Sequence, residues 1–271
     1  MAAYYNEIDP YAAQWLRNLI TAGHIAPGDV DERSIEAVQP DDVRGYTQCH
    51  FFAGIGGWSY ALRLAGWPDG EPVWTGSCPC QPYSSAGHQQ GAADARNLWP
   101  FWFRLIRECR PGRVFGEQVD RAVGHGWLDA VSTDMEAEGY AFGACVLGAH
   151  SAGAPHTRPR LWFVADASGQ GLSERPALGR GARTSEAPST WREFERVHGT
   201  NAWLRWDAES QIRVFAHGVP AVGGRLRALG NAIVPQVAAE FIGAYLDVIN
   251  GDTCTEMTAR VEAHSGSVLR G

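Results

Sequence analysis

The sequence contains no lysine. All 23 of its basic side chains are arginine, set against 30 acids, for a formal net charge of −7 at neutral pH. So acidic a balance argues against a polyanionic partner, but the charge is unevenly spread. Residues 1–50 hold eight acids and three arginines, whereas residues 168–230 hold nine arginines and six acids. Guanidinium forks match phosphate oxygens and guanine edges better than ammonium groups do. A GC-rich genome produces the same bias, so arginine content alone selects no partner. No apolar run approaches the roughly 18 residues of a membrane-spanning helix, which excludes one. The first ten residues are polar and acidic and lack the basic-then-apolar pattern of a secretory leader. A cytoplasmic setting is therefore expected, with free thiols at the six cysteines (49, 78, 80, 109, 145 and 254). Cys78 and Cys80 have no second Cys or His pair at zinc-site spacing, so no metal is expected.

What is present suits one sizeable domain: 271 residues, 45% apolar, 20% charged. Periodic segments alternate between helix and strand. Residues 11–23 predict an amphipathic helix ended by Gly23. Gln48–Ala53 predicts a buried strand feeding a glycine turn. Trp58–Ala65 predicts a helix stopped by Gly66 and Pro68, and Val73–Gly76 a short strand. Asn97–Cys109 and Trp127–Glu138 predict helices. Arg113–Gly116, Phe142–Leu147 and Leu161–Ala165 predict strands, and Gln236–Ile249 a closing helix. This alternation predicts an α/β sheet with crossover helices. After Asp166 the composition shifts to Gly, Ser, Arg, Ala and Pro without a clear period. The expected organisation is an N-terminal helical extension (1–45), a core (46–167), a small region of its own (168–226), a segment completing the core (227–250) and a tail (251–271).

Five places carry chemistry. Phe51-Phe52-Ala53-Gly54-Ile55-Gly56-Gly57 places Gly-x-Gly-Gly between a strand and a helix, where backbone can approach a ligand and helix N–H groups can face it. The plain alternative is a tight turn with no ligand. Ser77-Cys78-Pro79-Cys80-Gln81-Pro82-Tyr83-Ser84-Ser85 puts Cys80 in a small-residue turn after an apolar strand, a position for an exposed thiolate nucleophile. The plain alternative is an inert buried cysteine, which is the expected fate of Cys78. Glu117 ends the apolar run Val114-Phe115-Gly116, where a carboxylate faces the sheet edge. Arg158 and Arg160, two apart before a strand, can point the same way. Gly230-Asn231-Ala232-Ile233-Val234-Pro235 forms a turn before the closing helix.

In this order, these segments resemble the cytosine-C5 DNA methyltransferase family, between about residues 48 and 245. The resemblance implies a Rossmann-like S-adenosylmethionine-dependent methyltransferase sheet. It implies Cys80 as the nucleophile for cytosine C6, Glu117 and Arg160 as contacts to a flipped base, and Arg158 as support for the cysteine loop. Binding of S-adenosyl-L-methionine is implied for Phe52, Ala53, Gly54, Ile55, Gly56, Gly57, Trp58, Pro79, Asn231 and Ala232. Double-stranded DNA is the implied partner of a monomer. Gln81, Ser84, Ser85, Arg96, Gln118, Arg225 and Arg227 are the candidate DNA contacts, and residues 168–226 a small target-recognition region. Gln118 stands where the family has Asn, and His156 where it has Gln. Only 22 residues separate Gly57 from Cys80, too few for the second strand, whose acidic end binds the cofactor ribose, and the third. The sheet is therefore expected to be shortened after its first βα unit, with Asp69, Glu71 or the N-terminal residues standing in. Cytosine-C5 methylation of tRNA, a modified donor, and a non-catalytic DNA-binding relative are the alternatives. A nicotinamide site is disfavoured, because no acid follows the glycine turn at about 20 residues.

Overall fold

The computed structural model describes residues 2–79, 97–154, 157–168 and 232–250. Seven strands form one sheet in the order β2-β1-β3-β4-β5-β7-β6. They are β1 (Ala3–Asn6), β2 (Gly28–Asp31), β3 (Gln48–Phe51), β4 (Val73–Gly76), β5 (Arg113–Val119), β6 (Ala141–Leu147) and β7 (Arg160–Asp166). β2, β1, β3, β4 and β5 pair in parallel, and β7 runs antiparallel between β5 and β6. The helices are α1 (Pro10–Thr21), α2 (Pro40–Val43), α3 (Gly57–Leu64), α4 (Trp99–Cys109), α5 (Trp127–Ala137) and α6 (Pro235–Asn250). The expected α/β sheet is present.

The expected shortening of the sheet is corrected. The stretch between Gly57 and Cys80 is short, but residues 1–45 are more than a helical extension, because they supply β1 and β2. α1 starts where Asp9 caps it, accepting from the amides of Tyr11 and Ala12, with Pro10 in its first turn. β1 then lies between β2 and β3, paired Ala3 to Gln48 through Asn6 to Phe51.

Both sheet faces are covered. One face packs Tyr4, Phe51, Trp74 and Phe163 against α2, α4 and α5 through Val43, Trp102 and Val131. The other carries Tyr5 under α1, and Phe115 and Trp162 under α3 and α6 through Leu62, Ile242 and Tyr245. Trp102, Trp162, Phe115 and Phe163 are fully buried. Each such aromatic contributes roughly 2–3 kcal/mol by leaving water.

These placements fix the relative hands of the crossovers. β1-α1-β2 moves one way along the sheet on one face. β2-α2-β3 and β4-α4-β5 move the other way on the opposite face, so all three share a hand. β3-α3-β4 moves with the latter pair, but its helix lies on the face of α1. It alone has the opposite hand. Since parallel crossovers are right-handed in about 98% of cases, β3-α3-β4 is the left-handed one. α3 leads the chain away from β1, the neighbour that a right-handed crossover on that face would reach.

His50 on β3 stacks on Tyr5 with ring centroids 4.9 Å apart, and its Nδ1 lies 2.8 Å from Thr75 Oγ1. Burial lowers its pKa to about 3. A histidine depressed in the folded state leaves the unfolded chain binding more protons, so its share of stability is present above about pH 6.5 and is lost as pH falls below that. The stability advantage of the native protein over His50→Gln is therefore expected to shrink between about pH 6.5 and pH 5, by up to about 1.4 kcal/mol per pH unit. Denaturant melts of both proteins across that range check this.

Candidate active site

Successive crossovers diverge at β1 and β3: one leaves β1 for β2, the other leaves β3 for β4. The crevice outside the carboxyl ends of such strands is where open α/β sheets bind ligands. Here the end of β1 delivers Glu7 and the end of β3 delivers the glycine turn. Glu7 Oε2 accepts from the Gly54 amide at 2.7 Å, and Oε1 from the Asp9 amide at 2.9 Å. The Ala53 amide donates to the Asn6 carbonyl at 3.0 Å. Burial pushes the Glu7 carboxyl upward, opposed by those two amides. Each oxygen keeps a further lone pair that can accept from a hydroxyl.

The turn itself depends on left-handed backbone, with φ of 55° at Gly54 and 82° at Gly56, and Phe52 shares it at 52°. A Cβ on Gly57 would lie 2.7 Å from Ile233 Cγ1. Only glycine lets the residues ahead of α6 close over the turn.

The remaining polar groups converge from the ends of β4, β5 and β7. Glu117 ends β5. Arg160 begins β7, which is antiparallel and so starts at the edge where β5 finishes, with Val119 opposite Arg160. Arg160 Nε meets Glu117 Oε1 at 2.9 Å. Burial raises the Glu117 carboxyl above the ordinary range, opposed by Arg160, the Ser77 hydroxyl and Arg158. Ser77, just past β4, also accepts from Trp58 Nε1 at 3.0 Å. Arg158 sits at φ 30°, an uncommon conformation for a residue other than glycine, and Nη2 donates to the Ala232 carbonyl at 2.9 Å.

A cavity of about 460 Å³ joins the two halves. Glu7, Ile8, Ile35, Phe52 and Gly54 line one side, and Ser77, Pro79, Glu117, Arg158 and Arg160 the other. A neighbouring cavity of about 770 Å³ is lined by Leu19, Ile25, Ile55, Gly56, Gly57, Tyr60, Arg158, Ala232 and Ile233 among others, with no carboxylate or cysteine among the described residues. Glu7 and Glu117 both line the smaller cavity.

The expected residues are distributed as follows. Phe52, Gly54, Pro79, Glu117, Arg158 and Arg160 share the smaller cavity. Ile55, Gly56, Gly57 and Ala232 border the larger one. Ala53 is buried behind the turn, and Trp58 is buried against the sheet. Gln118 also lines the smaller cavity; it is buried, and its Nε2 donates to the Cys78 carbonyl at 3.2 Å, a bond to the segment that leads into the cysteine loop. Asp69 pairs with Arg63 and Glu71 with Arg113, away from both cavities. Neither stands in for the missing strand-end acid. Cys80, Gln81, Ser84, Ser85, Arg96, Arg225, Arg227 and Asn231 lie outside the described residues, as do His156 and most of the 168–226 region. Sequence reasoning missed Glu7 and Ser77. The signal for Glu7 was an acid placed directly after Ala-Tyr-Tyr-Asn and before a Pro-initiated helix.

Residues 72–198 match the profile of the C-5 cytosine-specific DNA methylase family. The Type II methyltransferase M.HhaI of Haemophilus parahaemolyticus is 35% identical over 101 residues, 36% of this chain and 31% of that protein. The Type II methyltransferase M.AluI of Cellulosimicrobium cellulans is 32% identical over 116 residues, 38% of this chain and 22% of that protein. The chain thus spans about a third or less of the length of these relatives. Among solved structures, a Spodoptera frugiperda DNMT2 superposes with a TM-score of 0.44 at 13% identity, over 64% of this chain and 45% of that one. The profile match runs from the approach to β4 through the cysteine loop and the strands of Glu117 and Arg160, and over that stretch the chain is similar to the C-5 cytosine-specific DNA methylase family.

Proposed function

We propose that this protein transfers a methyl group from S-adenosyl-L-methionine to C5 of cytosine in duplex DNA. The observation that carries the reading is one cavity holding Glu117 and Arg160 on the side of the cysteine loop and Glu7 with the glycine turn on the other.

The residues present fit the cofactor. Glu7 offers its free lone pairs to a ribose diol, and Ile8, Ile35 and Phe52 provide apolar surface for a flat base. Gly54 has open space where a Cβ would project. Bound there, the cofactor supplies a methyl group on a sulfonium.

The chain's own residues do the remaining work. C5 of cytosine is a poor nucleophile. The Cys80 thiolate adds to C6, forming an S–C6 bond and leaving C5 as the carbon of an enamine. Glu117, raised by burial toward its neutral form, donates to N3 and accepts from the N4 amino group, drawing charge from the ring. Arg160, held by its ion pair to Glu117, faces the same base. A bound cofactor would supply the methyl group that C5 takes, its sulfur keeping the electron pair of the bond that breaks. Loss of the C5 proton expels the thiolate and restores the ring. Gln118 holds the Cys78 carbonyl and so orients the loop that carries Cys80. A base inside a duplex is reached only by extrusion. Gln81, Ser84, Ser85, Arg96, Arg225 and Arg227 are proposed to contact the DNA around it. Residues 168–226 are proposed to read the target, with the protein acting as a monomer in the cytoplasm.

Two measurements test this. Nucleoside mass spectrometry after incubation with unmethylated duplex DNA and S-adenosyl-L-methionine is expected to show 5-methyl-deoxycytidine with the native protein and none with Cys80→Ala. Product on tRNA alone would move the substrate, and no product on either would sink the reading. Calorimetric titration of S-adenosyl-L-methionine is expected to show Glu7→Ala binding roughly 10- to 100-fold more weakly, since hydrogen bonds to an ionised group are worth about 1.5–3 kcal/mol. Asp69→Ala is expected to bind as the native protein does.

A further inference from the structure

Asn6 closes β1 and is only 3% exposed, yet it lines the smaller cavity. Its side-chain amide is oriented by its partners. Nδ2 donates to the Arg33 carbonyl at 2.8 Å and to the Asp31 carbonyl at 3.3 Å. Carbonyl oxygens only accept, so the nitrogen is the atom that faces them, and both of its protons are committed. Oδ1 therefore points the other way, and among the described residues no hydrogen bond reaches it. The buried side-chain atoms without a partner there are His50 Nε2, Trp102 Nε1 and Trp162 Nε1. Asn6 Oδ1 is not one of these sealed atoms, so it opens onto the cavity that Asn6 lines. The walls around it are apolar. Asn6 is two residues from Tyr4 along β1 and lies on the same sheet face. On that face Ile35 joins the core with Tyr4, Phe52 and Leu98 pack against it, and all three line the cavity.

We propose that Asn6 is a specificity-determining residue of the cofactor cavity: its Oδ1 accepts from the exocyclic amino group of an aminopurine and so selects adenine over a base with oxygen at that position. The proposal rests on the methyltransferase reading above, which supplies the adenosyl group. An acceptor set among apolar walls meets the edge of a flat base, whereas the next residue, Glu7, turns toward the Gly54 amide. A buried acceptor left facing another oxygen loses its water without gaining a partner, which is what makes such a site discriminate. The two Nδ2 bonds hold the chain where it leaves β2, and Ser34 and Ile35 follow directly and line the same cavity. The selecting atom and the apolar wall are thus fixed by one side chain.

The test is calorimetric titration of the full chain, without DNA, with S-adenosyl-L-homocysteine and with S-inosyl-L-homocysteine, which carries oxygen in place of the 6-amino group. The native protein is expected to bind the inosyl ligand roughly 10- to 100-fold more weakly, the cost of leaving a buried acceptor unpaired. Asn6→Leu is expected to bring the two ligands within about threefold of each other, since the acceptor is gone. Asn6→Ala carries the same expectation and stands in if the leucine variant lacks a cooperative melt. Asn6→Asp keeps Oδ1 and is expected to keep or widen the native preference, whatever its loss in absolute affinity. The ratio is the readout, because a merely structural defect weakens both ligands alike. A native ratio near one, a native ratio retained in Asn6→Leu or Asn6→Ala, or a preference lost in Asn6→Asp would overturn the proposal and leave the methyltransferase reading standing. A native protein that binds neither ligand sinks that reading and the proposal with it.

Discussion

The pairing of β1 with β3 is the constraint on which the rest of the structure depends. Four residues on each side align in parallel register. One step beyond that register, the Ala53 amide bonds the Asn6 carbonyl and the Gly54 amide bonds Glu7. The same ladder thus joins the N-terminal unit to the sheet and sets the strand-end acid against the glycine turn. A slip of one residue would turn Tyr4 and Tyr5 to the wrong faces and carry Glu7 away from the turn.

The second organising feature is the mixture of charge and burial at the carboxyl edge. Glu7 and Glu117 are both raised by burial, and each is opposed by donors that favour the ion. For Glu7 the donors are backbone amides alone. For Glu117 they are Arg160 at the start of β7, Arg158 just before it, and the Ser77 hydroxyl just past β4. Burying an ionised carboxylate is costly unless such partners are present. The antiparallel insertion of β7 is what makes them available, because a parallel strand in that place would start at the opposite edge of the sheet.

Much of this was legible in the sequence. The glycine turn, Glu117, Arg158 and Arg160 each adjoin an apolar strand bounded by glycine or proline, so period and punctuation locate them. β1 and β2 were not legible. Ala-Tyr-Tyr-Asn and Gly-Asp-Val-Asp are four residues long, too short for a period-2 signal, and the latter is half acidic. β1 belongs to the sheet through pairing with β3, some 45 residues away, and β2 through pairing with β1, and no local pattern encodes either. Strand order is likewise a property of packing, which is why the gap after Gly57 read as a missing unit and not as a unit placed earlier in the chain. The partner of Gln118, the Cys78 carbonyl, lies 40 residues back, and no local pattern points to it.

The central place of β1 has a consequence for synthesis. The strand is made before β3, as are α1 and β2, and these can pair at once. The other edge of β1 must wait for β3, and until then offers unpaired amides and carbonyls to any passing strand. Tyr4 and Tyr5, buried in the finished protein, are uncovered over the same interval. The nascent chain is therefore most exposed to mispairing between the making of β2 and that of β3, which closes the window by filling the groove that β1 leaves open.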